Sequence, residues 1–484
     1  LLGESPELRG FYLGCGMCSV GMACGGGAGR ALAEWVIEGE PSMDLWPVDI
    51  RRFAKVHNSI RTLRERSPET LSLHYAISFP GRQYKTARNL RLSPLHSRLE
   101  EAGAVFSSQM GWERPWWFNP KGISTHPELS FEKPGWFLLH AQEHEAARKN
   151  VVLIDQSTFG KLIVNGRDSE KFLQRVCAND ISSAHDKVVY TPMLNAHGGY
   201  ESDVTIMGLE DDRFLLITGT SQPVRDYNWV CSKIKPEEFV SVTDITGDYA
   251  VISVAGPNSR KLLSLVSPDN FSNEEFSYFT HRNVKIGPAI VRAARLSYTG
   301  ELGWELYVPN ESAIPVFDIL NEYGSDYGLK MAGMEALRSL RIEKGFRAWG
   351  HEIGPYDTPF EAGLGFSVKL DKKVSFLGKE ALIKQKKNGI NRYLVMLTSN
   401  DSEAHAHGGE PIWLNNKLAG HTTSGTFGHT LGYTVMMGYI NCVDTKLEKT
   451  LSNGNFEVEI ACRRFTAEVS LEAPYDPKGI VLVK

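Results

Sequence analysis

Seven cysteines in 484 residues are too few to staple the chain. None of Cys15, Cys18, Cys24, Cys177, Cys231, Cys442 and Cys462 belongs to a zinc-like pattern with a matching second pair. Free thiols in a reducing compartment are therefore expected. Cys15 and Cys18 form a C-x-x-C, but it lies inside a glycine-rich stretch, where a redox role is not expected. No apolar run approaches the roughly 20 residues that span a bilayer, so no membrane span is expected. The formal net charge is only −4, which excludes the strongly basic surface that nucleic acid or an anionic membrane would require. Internal repeats and low-complexity tracts are also missing. The chain begins at Leu1 without a signal peptide or an Arg-rich presequence. It is expected to be a piece of a longer protein.

What is present is ordinary for globular protein: 42% hydrophobic and 23% charged residues, in a length that suits about two to four domains. Near the start, the apolar run Phe11-Tyr12-Leu13 enters a stretch rich in glycine, from Gly14 to Gly29. The spacing predicts a strand, a glycine loop, and then a helix from Arg30 to Ile37 closed by Gly39. Such a layout turns backbone N–H groups toward an anionic or electron-rich ligand. The spacing is not the G-x-G-x-x-G of a first dinucleotide-binding turn, and close strand–helix packing explains it equally well.

Residues 49–106 are polar, basic and short of strand patterns. The aromatic cluster from Trp112 to Phe118 follows, ending in the turn Asn119-Pro120-Lys121-Gly122. The cluster is expected to anchor a domain interface rather than to stack a ligand. Beyond Trp136 strands and helices mix without regular βαβ repetition, which predicts an α+β architecture. Strands are expected at 162–164, 204–207, 214–218 and 249–254. A hairpin spanning 289–308 is expected around Thr299-Gly300, and helices at 169–176, 259–265, 314–323, 334–344 and 379–387. From about Asn391, short runs at close spacing, including 393–398, 411–414 and 456–462, with turns at Asn415-Asn416 and Asn453-Gly454, predict a small β-barrel or sandwich.

Three charged motifs stand out. In the run from Asn195 to Ile206 a glycine turn leads into a strand where Val204 and Ile206 point one way and Asp203 and Thr205 the other. In the run from Ser297 to Glu305 the same alternation sets Glu305 and Tyr307 opposite Trp304 and Leu306. Arg338 and Arg341 share a helix face just before Glu343 and Lys344. Taken singly, each is explained by a solvated charged face. Together, an arginine and two carboxylates beside glycine turns can bind a polar heterocycle and leave one carboxylate to accept a proton.

These motifs, with Asp357-Thr358-Pro359-Phe360-Glu361-Ala362-Gly363-Leu364, Thr422-Thr423-Ser424-Gly425 and Met437-Gly438-Tyr439-Ile440, resemble the aminomethyltransferase family, the folate-binding T-protein module of glycine cleavage. The resemblance runs over about residues 130–475. Gly14 to Gly39, Trp46 to Phe53, Arg64-Glu65-Arg66-Ser67 and Gly111-Trp112-Glu113-Arg114-Pro115 resemble instead the flavin-dependent dehydrogenases fused to that module. These form the sarcosine and dimethylglycine dehydrogenase family, to which the regulatory subunit of pyruvate dehydrogenase phosphatase is related. The connecting segment is most like sarcosine dehydrogenase, the helix 337–341 more like the regulatory subunit.

The resemblance implies four parts: the tail of an FAD-dependent oxidoreductase domain over 1–46, a central connecting domain over 47–125, a folate-binding aminomethyltransferase domain over 126–388, and its C-terminal β-barrel over 389–484. It implies oxidative N-demethylation of sarcosine or dimethylglycine, with the one-carbon unit passed to tetrahydrofolate to give 5,10-methylene-tetrahydrofolate. The alternatives are a regulatory subunit without turnover and a stand-alone aminomethyltransferase; the flavin-domain tail disfavours the second. By resemblance Asp203 is the catalytic carboxylate that positions a folate nitrogen and accepts its proton. Glu305, Tyr298 and Arg341 bind folate, and Gly16, Met17 and Gly21 lie on the last flavin-contacting loop. FAD, electron transfer flavoprotein as electron acceptor and a mitochondrial matrix location are implied for the complete protein.

Overall fold

The computed structural model describes residues 1–123, 130–210, 212–442 and 447–484; the expected boundary between residues 125 and 126 falls outside them. The N-terminal unit pairs β1 (Leu2–Glu4) with β2 (Tyr12–Gly14) and packs α1 (Gly21–Glu38) against them. The helix begins nine residues before the expected Arg30, taking in Gly25, Gly26, Gly27 and Gly29. A Cβ at any of these four would meet nothing within 4 Å. Each glycine costs the helix about 0.5–1 kcal/mol relative to alanine, and burial of Ala31 and Trp35 offsets this. The indole of Trp35 lies so close to Gly3 that a Cβ there would sit 2.6 Å from the ring. Arg51 covers the same indole at 4.8 Å and is paired with the buried Asp49. The helix ends at Gly39 in the left-handed conformation, as expected.

The connector holds α2 (Ile60–Ser72), α3 (His96–Glu101) and the hairpin of β3 (Ala104–Gln109) and β4 (Trp112–Phe118). The aromatic cluster is an interface anchor: Trp117 stacks on Trp136 at 4.3 Å, and Trp116 donates its indole N–H to Glu335 at 2.6 Å.

The middle of the chain runs α4 (Phe137–Lys149), β5 (Val151–Asp155), β6 (Gly160–Asn165), α5 (Ser169–Val176), β7 (Val189–Leu194), β8 (Tyr200–Gly208), β9 (Arg213–Thr218), α6 (Pro223–Ser232) and β10 (Ser241–Asp244). It continues through β11 (Tyr249–Ala255), α7 (Ser259–Val266), β12 (His281–Ile286), β13 (Ala289–Ala294), β14 (Gly303–Pro309), α8 (Ala313–Gly324), β15 (Leu329–Met331), α9 (Met334–Glu343) and α10 (Lys379–Asn388). Five strands form one sheet in the order β10-β6-β9-β8-β7, and six form a second in the order β12-β13-β14-β11-β5-β15. The outer face of the first sheet is covered by α5 and α6 through Phe172, Leu173, Trp229 and Val230. Packed on the outer face of the second are Leu262, Leu263, Val316 and Phe317 of α7 and α8. The inner faces meet through Met207, Leu215, Ile217, Val251, Ala294 and Tyr307. The helices α4 and α9 cover the rest of the second sheet's inner face, at Val152, Ile154 and Ala255.

The C-terminal strands β16 (Arg392–Ser399), β17 (Pro411–Leu414), β18 (Lys417–Gly428), β19 (Tyr433–Asn441), β20 (Phe456–Ile460) and β21 (Arg463–Ser470) close into a six-stranded barrel. Asn415 and Asn416 both take positive φ between β17 and β18, the conformation a two-residue hairpin turn requires. The strand expected to reach Cys462 ends at Ile460, because Ala461 and Cys462 form another such turn. All seven cysteines are free. Among the described residues, no helix is long and apolar enough to cross a membrane.

One buried carboxyl ties these parts together. Glu143, 3% exposed, accepts the Phe118 N–H at 2.6 Å and the Gly333 N–H at 2.8 Å, and burial pushes its pKa up to about 8. Replacement Glu143→Gln leaves one of these two N–H groups facing an amide NH2. It is expected to lower stability by about 1–3 kcal/mol, read as a lower urea midpoint at unchanged slope.

Candidate functional site

Strand parity decides where the charged motifs point. Along β8, Val204 and Ile206 enter the core under α5 and α6, so Asp203, Thr205 and Met207 face the other sheet. Along β14, Trp304, Leu306 and Val308 pack under α7 and α8, so Glu305 and Tyr307 face the first sheet. Both carboxylates thus project into the space between the sheets, not into solvent on free edges. Their expected alternation is correct, while the solvated-face explanation fails because each strand is covered on both sides.

Asp203 is half-buried and accepts a hydrogen bond from the Tyr190 hydroxyl at 3.1 Å. Burial pushes its pKa up to about 6, and the Asp226 carboxylate behind the strand adds to the rise. Glu305, 5% exposed, accepts from the Tyr307 hydroxyl at 2.8 Å; burial pushes its pKa up to about 7. Neither carboxylate has a salt-bridge partner among the described residues. Tyr298 donates its hydroxyl to the Arg347 carbonyl and stacks on Phe346 at 5.7 Å. Burial raises the Tyr298 phenol.

Arg341 lies on α9 facing the barrel, and it too is buried rather than solvated. Its guanidinium donates to Glu352 at 2.9 Å, to the Phe346 carbonyl at 2.8 Å and to Ser424 at 3.0 Å. Glu343 and Lys344 are likewise paired, with Arg148 at 2.8 Å and Asp476 at 2.8 Å. Arg338 donates to the carbonyls of His407 and Gly425.

Gly16, Met17 and Gly21 belong to the N-terminal unit, so the structure does not gather them with the other four. Met17 packs against the cluster of Leu2, Ala31, Trp35 and Leu45. Gly16 has a φ of +66° and open space around it, and Gly21 is the first residue of α1. This exposed backbone suits close approach by a ring.

Sequence reasoning missed several groups. Tyr190 stands on β7 opposite Thr205, one cross-strand step from Asp203. Tyr200 is fully buried, and its hydroxyl has no hydrogen-bond partner, which marks a place for a polar ligand atom. Glu352 and Asp226 act through buried hydrogen bonds that no local spacing reveals. Two cation-free carboxylates turned toward the facing sheet suit a heterocycle rich in N–H donors.

The comparisons agree with this fold. Residues 95–372 match the GCVT N-terminal domain, 38–93 the FAD dependent oxidoreductase central domain and 392–476 the glycine cleavage T-protein C-terminal barrel domain. A 4-methylaminobutanoate oxidase (formaldehyde-forming) of Paenarthrobacter nicotinovorans is 41% identical, over 99% of the chain and 57% of the relative. Mitochondrial sarcosine dehydrogenase of Mus musculus is 37% identical, over 99% of the chain and 56% of the relative. The chain therefore spans little more than half the length of these relatives. The solved aminomethyltransferase T of Bartonella henselae superposes with a TM-score of 0.67 at 23% identity, covering 80% of this chain and 98% of that one.

The raised carboxyls have a cost that is testable without a ligand. A folded pKa above the unfolded value means that folding binds protons, so this contribution is full below about pH 4 and is lost as pH rises through about 6 to 7. Glu305→Gln keeps the acceptor for Tyr307 and removes the charge. It is expected to stabilise the unliganded chain by on the order of 1–3 kcal/mol at pH 7.5 and by little at pH 4.5, measured by thermal denaturation at both values.

Proposed function

The chain belongs to the glycine-cleavage T-protein family, with an FAD dependent oxidoreductase central domain ahead of the T-protein region, and on that premise we propose that it is the folate-handling part of an N-methyl amino acid dehydrogenase. The complete protein oxidises sarcosine or dimethylglycine and passes the one-carbon unit to tetrahydrofolate, giving 5,10-methylene-tetrahydrofolate. The observation that carries this reading is that Asp203 and Glu305 each face the opposite sheet and neither has a cation.

Asp203 accepts the proton released when a folate nitrogen forms its bond to the one-carbon unit. A carboxylate held near pH 6 is ionised at neutral pH, yet basic enough to take that proton. The Tyr190 hydroxyl keeps its carboxylate turned toward the intersheet space. Glu305 accepts N–H donors of the pteridine ring, and Tyr298 closes the space on the side of α9. Arg341 uses three of its N–H groups on Glu352, Phe346 and Ser424. A further contact reaches the Tyr298 side chain, so Arg341 acts on a ligand chiefly through its buried positive charge and by holding Tyr298 in place.

When bound, FAD would supply the two-electron oxidation of the methyl-bearing C–N bond, and Gly16, Met17 and Gly21 would contact it through backbone groups. Most of the flavin site lies outside this chain. Electron transfer flavoprotein takes the electrons, in the mitochondrial matrix. We keep the division into parts 1–46, 47–125, 126–388 and 389–484 as part of this proposal.

Tetrahydrofolate tests the reading directly. At about 100 times its Kd it is expected to add about 2.7 kcal/mol to the stability of the chain, seen as a higher Tm. Asp203→Ala is expected to reduce folate-dependent product formation in the complete protein by roughly 100-fold or more. It should leave oxidation of sarcosine or dimethylglycine with an artificial electron acceptor nearly unchanged. No thermal shift with tetrahydrofolate would favour a regulatory protein without turnover.

A further inference from the structure

A second buried carboxylate stands directly behind the strand that carries Asp203. Asp226 of α6 is 1% exposed and accepts the Ser202 hydroxyl at 2.7 Å and the Thr218 hydroxyl from β9. Ser202 immediately precedes Asp203 and points to the opposite face of β8; the Gln222 amide also donates to it, at 3.4 Å. The cation beside Asp226 is Arg225 at 3.9 Å, and Arg225 is drawn away to Glu201 at 2.5 Å. A carboxylate in this position costs stability compared with an apolar side chain. Trp229 and Val230 of the same helix enter the apolar core under α6.

We propose that Asp226 is a positioning residue for Asp203: through Ser202 it fixes the strand step that aims Asp203 between the sheets, and it sets a negative charge directly behind that step. The proposal rests on the folate reading of Asp203.

The surroundings support it from every side. Asp203 is bordered by Tyr190 on β7, Tyr200 on its own strand and Tyr298 from the β13–β14 connection, with Asp226 of α6 behind the strand. Tyr190 is a neutral donor that favours the ionised carboxylate, so its contact lowers the Asp203 pKa. Tyr200 and Tyr298 are neutral phenols, raised by burial. Asp226 is the like charge in the set, and it faces Arg225 and Glu201 in turn. Burial also pushes Asp226 up to about 6, so above that pH it carries the charge the device needs.

The test is the pH dependence of tetrahydrofolate affinity, titrated anaerobically into this chain between pH 5 and 8 and followed by tryptophan fluorescence. Wild-type affinity is expected to rise with a midpoint near pH 6. Asp226→Asn keeps an acceptor for Ser202 and removes the charge, so the midpoint should fall by about half a unit to one unit. Asp226→Glu should restore the wild-type midpoint. The milder Thr218→Val removes one donor, leaves Asp226 neutral to higher pH, and should move the midpoint down by less; it serves if Asp226→Asn does not fold. A midpoint unmoved in both Asp226→Asn and Thr218→Val, or a wild-type affinity flat across the range, overturns the proposal while the folate reading stands. No tetrahydrofolate binding by the wild type at any pH removes the folate reading itself, and this proposal with it.

Discussion

The contact on which the rest depends is the face-to-face packing of the two sheets. Met207, Leu215 and Ile217 from one side meet Val251, Ala294 and Tyr307 from the other. This apolar seam sets the sheets side by side, and the strands then run past its end. Asp203 and Glu305 lie on the same faces as the seam, two and one alternation steps beyond Met207 and Tyr307. The site is therefore a place where the intersheet core stops being apolar. Low local dielectric raises both carboxyls, and the same burial gives each contact with a ligand its strength.

A set of buried ion pairs holds α9 where the sheets and the barrel meet. Arg148 bridges Glu301 at 2.9 Å and Glu343 at 2.8 Å, with the Tyr475 ring 3.7 Å from its guanidinium. Arg341 joins Glu352 and Ser424, while the Tyr439 hydroxyl donates to the Glu352 carbonyl at 2.8 Å. Buried pairs of this kind are poor sources of net stability. Their value here is geometric, because each spans two or three segments distant in sequence. The N-terminal unit is tied in separately. Trp46 meets Trp349 edge-on at 5.3 Å, and Arg225 covers the Trp349 ring at 4.8 Å.

The raised acids sort by surroundings rather than by residue type. Glu343, held by His144 and Arg148, drops to about 2, while Glu305, with one phenol, rises to about 7. Two glutamates in one fold thus differ by whether a cation was buried with them. Asp203 and Glu305, left without one, both face the other sheet, as expected of a working site in which stability is given up for chemistry.

By itself the sequence determined the α+β class, the closing barrel, the short hairpin turn at Asn415-Asn416 and the direction of each side chain along β8 and β14. All of these follow from periods of two or 3.6 residues and from local turn chemistry. It also singled out Asp203, Glu305 and Arg341. It misplaced the start of α1, because glycine content alone argues for a loop and the Trp35 contact that offsets it is not local. Strand alternation says that Asp203 and Val204 point to opposite faces, but not which face is covered by what. Only the tertiary structure decided that both faces are buried, that Tyr190 and Asp226 bracket Asp203 from two sides, and that Arg341 is locked in a pair. Those facts come from side chains brought together across long loops, where no spacing along the chain carries the information.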